Sequence, residues 1–281
     1  MMIQIITDSA SDVVDVQRED LTVLPIHITF GQEEFEDGVN LTHEMFYEKL
    51  IESDELPVTS QVPPYDFEEA YRKVKEKGAR AIVITLSSKL SGTWQSASIA
   101  AEKYGDTVRV IDSENASIGQ RALVEYALRL KDEGLPYEEI VDRLEADKAR
   151  IRLVALLDTL EYLKRGGRIS KTAAMAGSLL SIKPVIAIQR GEVAVLGKAR
   201  GSKQGNNLLA EQIRQVGGID FAKPFVLGYT GMSDAVLQKY IVDNEALWKG
   251  DVETLDTTSV GGTIGTHIGP GAIGVAFFSA N

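Results

Sequence analysis

Four short apolar runs limit what the first half of this chain can fold into: Ile3–Ile6, Val23–Phe30, Ala81–Leu86 and Val108–Ile111. Each reads as a strand by its length and its β-branched content. Helix-like segments stand between and after them. Leu41–Leu50 is amphipathic, with Thr42 as a cap, Tyr65–Lys77 closes at Gly78, and Thr93–Tyr104 ends at Gly105. Two more helices follow, over Ile118–Glu133 and Tyr137–Lys148. Strand, crossover helix, strand is the sequence form of a parallel sheet with helices packed on it. Gly31–Gly38 reads as a polar loop. Leu56–Pro64, with prolines at 57, 63 and 64, reads as irregular chain.

Past residue 150 the pattern changes. Leu153–Leu157 is strand-like, and Thr159–Lys164 is a short helix stopped by Arg165-Gly-Gly-Arg168. Thr172–Ser181 is a helix made largely of Ala, Gly, Met and Leu. Pro184–Ile188 and Val193–Leu196 flank a turn with Gly191, which predicts a β-hairpin. A helix over Gly201–Val216, a strand over Phe225–Tyr229, a helix over Ser233–Leu247 and a strand over Ala272–Phe278 complete the chain. The expected division is a domain over 1–150 and a second over 151–281.

Charge and composition exclude several functions. Of 281 residues, 30 are Lys or Arg and 41 Asp or Glu, a net charge of −11. Such a surface repels nucleic-acid backbones and anionic headgroups, so neither a nucleic-acid partner nor stable membrane insertion is expected. The absence of cysteine removes disulfides, thiolate nucleophiles and thiolate metal sites. With three dispersed histidines, no metal site is expected either. The N-terminus reaches acidic residues too soon for a signal peptide, and no apolar run has membrane-spanning length, which points to a cytoplasmic protein. G-x-x-x-x-G-K-[ST] does not occur, and the one G-x-G-x-x-G match, Gly269–Gly274, runs into a strand-like segment instead of joining a strand to a helix, so no nucleotide site or other cofactor is expected.

The polar clusters Thr7–Ser11, Ser87–Thr93 and Asp112–Ser117 each follow an apolar run. Ligands of open parallel sheets bind beyond the carboxyl ends of the strands, where helix starts offer unpaired amides. Gly92 permits close approach to the backbone. Ser91 can cap the helix that begins at Thr93, and it can also donate its own proton to a ligand. A further hydroxyl segment is Val58-Thr-Ser-Gln-Val62. His267 differs from His27 on a strand and His43 on a helix, because glycines and Pro270 surround it and imply a loop.

Read in order, ITDSASD (6–12), VTSQVP (58–63), ITLSSKLSGTWQSA (84–97), VIDSENAS (110–117), LEYLKRGGRIS (160–170) and THIGPGAIG (266–274) resemble the DegV family. That family includes FakB, the fatty-acid-binding subunit of bacterial fatty-acid kinase. The likeness spans essentially the whole chain. It implies an N-terminal three-layer α/β/α domain with a mainly parallel sheet, a C-terminal α/β domain with a mainly antiparallel sheet, and a long-chain fatty acid such as palmitate buried between them. The resemblance assigns the carboxylate to Thr59, Ser91 and His267, with Ser60, Gly92 and Thr93 as neighbours. Arg168 and Arg200 match positions tied to the kinase partner or to the carboxylate side, with Arg165 an alternative to Arg168 within the same motif. On this reading the chain is a carrier, not an enzyme. It presents the carboxylate to a separate ATP-dependent kinase that makes an acyl phosphate. Burying a C16 tail contributes on the order of 10 kcal/mol before association entropy is subtracted. The competing reading is a hydrolase or acyltransferase with Ser91 as nucleophile and His267 as base. No motif supplies an acid to orient that histidine, and Ser91 has no nucleophile-elbow signature.

Overall fold

The computed structural model describes residues 2–13, 16–53, 55–169, 182–248, 255 and 257–280. The helix expected over Thr172–Ser181 lies outside them. The first half runs β1 (Ile3–Asp8), β2 (Leu21–Leu24), β3 (His27–Phe30), β4 (Glu33–Glu36), α1 (His43–Glu52), β5 (Val58–Ser60), α2 (Pro64–Glu76), β6 (Arg80–Thr85), α3 (Thr93–Ala101), β7 (Val108–Asp112), α4 (Ser117–Asp132) and α5 (Tyr137–Asp147). β2, β1, β6 and β7 form a parallel sheet in that order. Successive strand residues point to opposite faces. Ile5, Ile82, Ile84 and Ile111 therefore pack on α4 and α5, through Leu123, Ala127, Ile140 and Leu144. Ile6, Ala81, Val83 and Val108 pack on α2 and α3, through Phe67, Tyr71, Val74 and Ala97. The result is an α/β/α sandwich.

Three expectations for this half need correction. Val23–Phe30 is not one strand: Val23 and Leu24 pair with β1, whereas His27–Phe30 pairs with β4, and His27–Thr29 also with β5. Pro25 has no N–H to continue a ladder, so the chain leaves one sheet and enters another there. Gly31–Gly38 is not a loop but contains β4, and the irregular proline segment contains β5. Together they make a small antiparallel sheet, β4-β3-β5, that packs Ile28 and Phe30 on Phe46, Tyr47 and Leu50.

The second half continues with β8 (Ile151–Leu156), α6 (Glu161–Arg165), β9 (Ile182–Gln189), β10 (Glu192–Arg200), α7 (Gly201–Gln215), β11 (Phe225–Tyr229), α8 (Ala235–Asp243), β12 (Thr257–Ser259), α9 (Gly262–Ile268) and β13 (Ile273–Phe278). The sheet order is β10-β9-β8-β13-β11-β12, antiparallel except for β11 with β12. β12 had no signal in the sequence pattern. Arg190 and Gly191 both have positive φ, 51° and 81°, the backbone of the tight hairpin turn between β9 and β10. One face of this sheet packs on α7 and α8 through Leu209, Ile213, Leu237 and Tyr240. The other, with Leu153, Val226 and Ala276, meets Ile118 of α4. α4 is thus covered on both sides, which accounts for its long run of buried residues. No helix among the described residues is long and apolar enough to cross a membrane.

Candidate functional site

Between the parallel sheet and the six-stranded sheet lies a cavity of about 940 Å³, mouth included. The N-terminal half lines it through Thr59, Ser91 and Ile118, and the C-terminal half through Arg168, His267 and Gly274. Four of its polar residues, Thr59, Ser91, Arg168 and His267, gather at one place. Ser60 and Gln61 there are exposed, so this is the solvent side, whereas Ile118, Ala155, Ile186, Val260 and Ile273 make an apolar wall.

His267 belongs to α9, not to a loop, which corrects the expectation from its glycines. Those glycines let the helix pack closely. A Cβ at Gly262 would stand 2.7 Å from Ile28 Cδ1 and 2.8 Å from Phe46 Cδ2, and one at Gly265 would stand 2.8 Å from the Tyr47 hydroxyl. The imidazole itself rests on Gly166, where a Cβ would collide with Nδ1. At the other edge, Nε2 lies 3.0 Å from Thr59 Oγ1. Nδ1 is buried and has no hydrogen-bond partner among the described residues. A buried N–H without an acceptor is rarer than an unfilled lone pair, so the proton is assigned to Nε2 and donated to Thr59. The Thr59 hydroxyl proton then stays available to the cavity. Burial, with the nearby Arg168 charge, pushes the His267 pKa down to about 4, so the ring is neutral near pH 7.

Ser91 is wired in a similar way. Its Oγ accepts from Thr93 N at 3.2 Å and lies 3.0 Å from Thr93 Oγ1, which itself accepts from Val62 N at 3.3 Å. If the Thr93 hydroxyl donates to Ser91, the Ser91 proton is left for the cavity. The formal cap of α3 is Gly92, and Ser91 supports the helix start from one residue earlier. Gly92 does not face open space: a Cβ there would collide with Gln61 Oε1, whose amide nitrogen donates to Ser96 Oγ at 2.8 Å. Its close approach serves the Thr-Ser-Gln segment.

Of the arginines, Arg168 lines the cavity and Arg165 does not. Arg168 donates from Nε to Leu90 O at 3.1 Å and from Nη1 to Gly166 O at 2.6 Å. No carboxylate pairs with it among the described residues, and burial lowers its pKa. Arg165 instead pairs with Glu161 at 2.7 Å in solvent. Arg200 is exposed at the start of α7 and lies outside the cavity wall. Ser91 and His267 share the cavity, but His267 turns its Nε2 to Thr59, and no described carboxylate bonds its Nδ1. That is not the geometry of a serine-histidine-acid relay. Gln61, Ser117, Thr230 and Thr263 also line the cavity, and the sequence alone assigns them no role. Gln61 and Ser117 fall within the polar segments 58–62 and 112–117 and Thr263 opens the glycine-rich stretch around His267, whereas Thr230 carries no signal. No group of three or more His, Asp or Glu among the described residues is arranged to hold a metal ion.

Comparison with known proteins gives the same picture. The family described as "Uncharacterised protein, DegV family" matches residues 2–280. A DegV domain-containing protein of Caldanaerobacter subterraneus subsp. tengcongensis is 35% identical over 280 residues, 98% of either chain. A fatty-acid-binding DegV family protein from Thermus thermophilus has a TM-score of 0.88 at 31% identity, covering 99% of this chain and 100% of that one. A fatty-acid-binding DegV family protein from Streptococcus agalactiae has a TM-score of 0.87 at 29% identity, covering all of both chains. The match extends from the first strand to the last and takes in both walls of the cavity, and on that ground the chain belongs to the DegV family.

Proposed function

We propose that this protein is a carrier that holds a long-chain fatty acid in the cavity, with residues 1–150 and 151–281 acting as two domains on either side of it. The observation that carries this reading is the join of one polar cluster to an apolar wall within one cavity. A carboxylate leaving water must have its lost hydrogen bonds replaced. Thr59 and Ser91 offer hydroxyl protons, and Arg168 adds a positive charge without a carboxylate partner among the described residues. His267 contributes through Thr59, whose hydroxyl it holds in place. Ser60 stands at the same mouth, while Gly92 and Thr93 hold Gln61 and Ser91 from behind. The acyl tail lies along the apolar wall, where each buried methylene contributes about 0.8 kcal/mol. Fatty-acid binding by relatives that share this fold over their full length supports the ligand class.

The carrier presents the carboxylate at the open end to a separate ATP-dependent kinase, which supplies nucleotide and Mg²⁺ for acyl-phosphate formation. Exposed Arg200 is positioned for that partner, and Arg168 for the carboxylate side. Native mass spectrometry after incubation with palmitate tests the reading: the complex gains the mass of the fatty acid, and the protein alone releases no phosphate from ATP. A protein that stays empty overturns it.

A further inference from the structure

Behind the cavity, two carboxylates from the first half reach the start of the helix that carries His267. Asp37, just after β4, accepts from Gly262 N at 3.1 Å, Thr263 N at 3.1 Å and Thr263 Oγ1 at 2.5 Å. Asp12, in the turn after β1, accepts from Gly261 N at 2.7 Å. Three successive amides are thereby satisfied, groups that a helix start leaves without internal partners. Both acids are buried, at 3% and 0% exposure. The other Asp12 oxygen accepts from Ser117 Oγ at 2.6 Å, so the same side chain also holds the start of α4.

An ordinary helix cap comes from the residue just before the helix. Here the caps come from 225 and 249 positions away in the sequence. Burial of Asp12 is costly enough to push its pKa up to about 7, with Asp37 adding to the rise. A cap of this kind does more than satisfy amides, because it fixes a C-terminal helix against the N-terminal half. His267 lies five residues beyond Gly262, about 7.5 Å along the axis at 1.5 Å per residue. Close contacts at Gly262 and Gly265 with Phe46 and Tyr47 leave the helix no room to tilt. Its axial position therefore depends on the acids at its start.

We infer that Asp37 and Asp12 are positioning residues for the carboxylate site: they set where α9 places the His267 imidazole, and through it the Thr59 hydroxyl. This rests on the fatty-acid reading above. Neither acid is part of the cavity wall.

The test compares palmitate with hexadecanol, which has the same tail and no carboxylate, by calorimetric titration of the full chain. The wild-type protein is expected to prefer palmitate. Asp37→Ala is expected to cut that preference about tenfold while hexadecanol affinity holds within about twofold. Asp37→Asn keeps one acceptor oxygen, so it and Asp12→Asn should cut the preference less, about threefold. Should Asp37→Ala not fold, the two Asn variants decide the matter. A purely structural role lowers both affinities together and leaves the ratio unchanged, and that result overturns the assignment. A wild-type protein that binds neither ligand overturns the fatty-acid reading itself, which separates the two failures.

Discussion

Gly274→Ala measures the apolar wall directly. Gly274 of β13 pairs across the sheet with Gly228 of β11 on one side and Ala155 of β8 on the other. All three line the cavity. A Cβ built on Gly274 meets Ala155 Cβ and Ile118 Cδ1 at 3.4 Å each, ordinary van der Waals distances, and Gly274 φ is not in the left-handed region. The methyl therefore fits without moving the sheet, and removing a strand glycine should stabilise the fold by about 0.5–1 kcal/mol. It takes space that an acyl tail would use. Displacing one methylene costs about 0.8 kcal/mol, or about a fourfold weaker Kd. The assay is calorimetry over the saturated acids from decanoate to stearate. Binding free energy plotted against carbon number should coincide with wild type for short acids, then fall below it once the tail reaches residue 274. Gly228→Ala is the stricter partner variant, since its methyl would stand 3.0 Å from Ile118 and 3.1 Å from Val260. An equal loss for every acid, decanoate included, or no loss for any, would refute the placement of the tail along this wall.

Two further outcomes follow from the charge at the mouth. In the free protein His267 should titrate near 4 by NMR, since burial and Arg168 both disfavour the imidazolium. A bound carboxylate favours it, so the pKa should rise by about one unit or more on adding palmitate and not on adding hexadecanol; an unchanged pKa would place the headgroup elsewhere. Arg168→Gln should raise the pKa of the free protein and weaken palmitate more than hexadecanol. If it lowers the His267 pKa or weakens both ligands alike, Arg168 is not the charge that faces the site.

Parts of the fold were legible because their causes are local. β1, β6 and β7 are apolar runs ending in small polar residues, and the β9–β10 turn needs residues such as Arg190 and Gly191 that accept positive φ. Other parts depend on distant partners. Val23–Phe30 has one continuous apolar pattern, and only the pairing of its two ends with different sheets divides it at Pro25. α9 contains two glycines and four β-branched residues in seven, a composition that argues against a helix. It forms because Phe46 and Tyr47 need close backbone and because Asp12 and Asp37 satisfy its first amides. Thr59, Ser91 and His267 were singled out by family likeness, since no spacing rule joins residues 59 and 267. Nothing in the sequence marked Asp37, an acid in a segment that reads as a polar loop.

A crystal structure of the protein grown with palmitate tests the central claim most directly. The account predicts one continuous chain of density along the Gly274–Ile118 wall, its carboxylate within hydrogen-bonding distance of the Thr59 and Ser91 hydroxyls and on the His267 side of the cavity. Density with the carboxylate at the apolar end, or palmitate bound only on the outer surface, would contradict it.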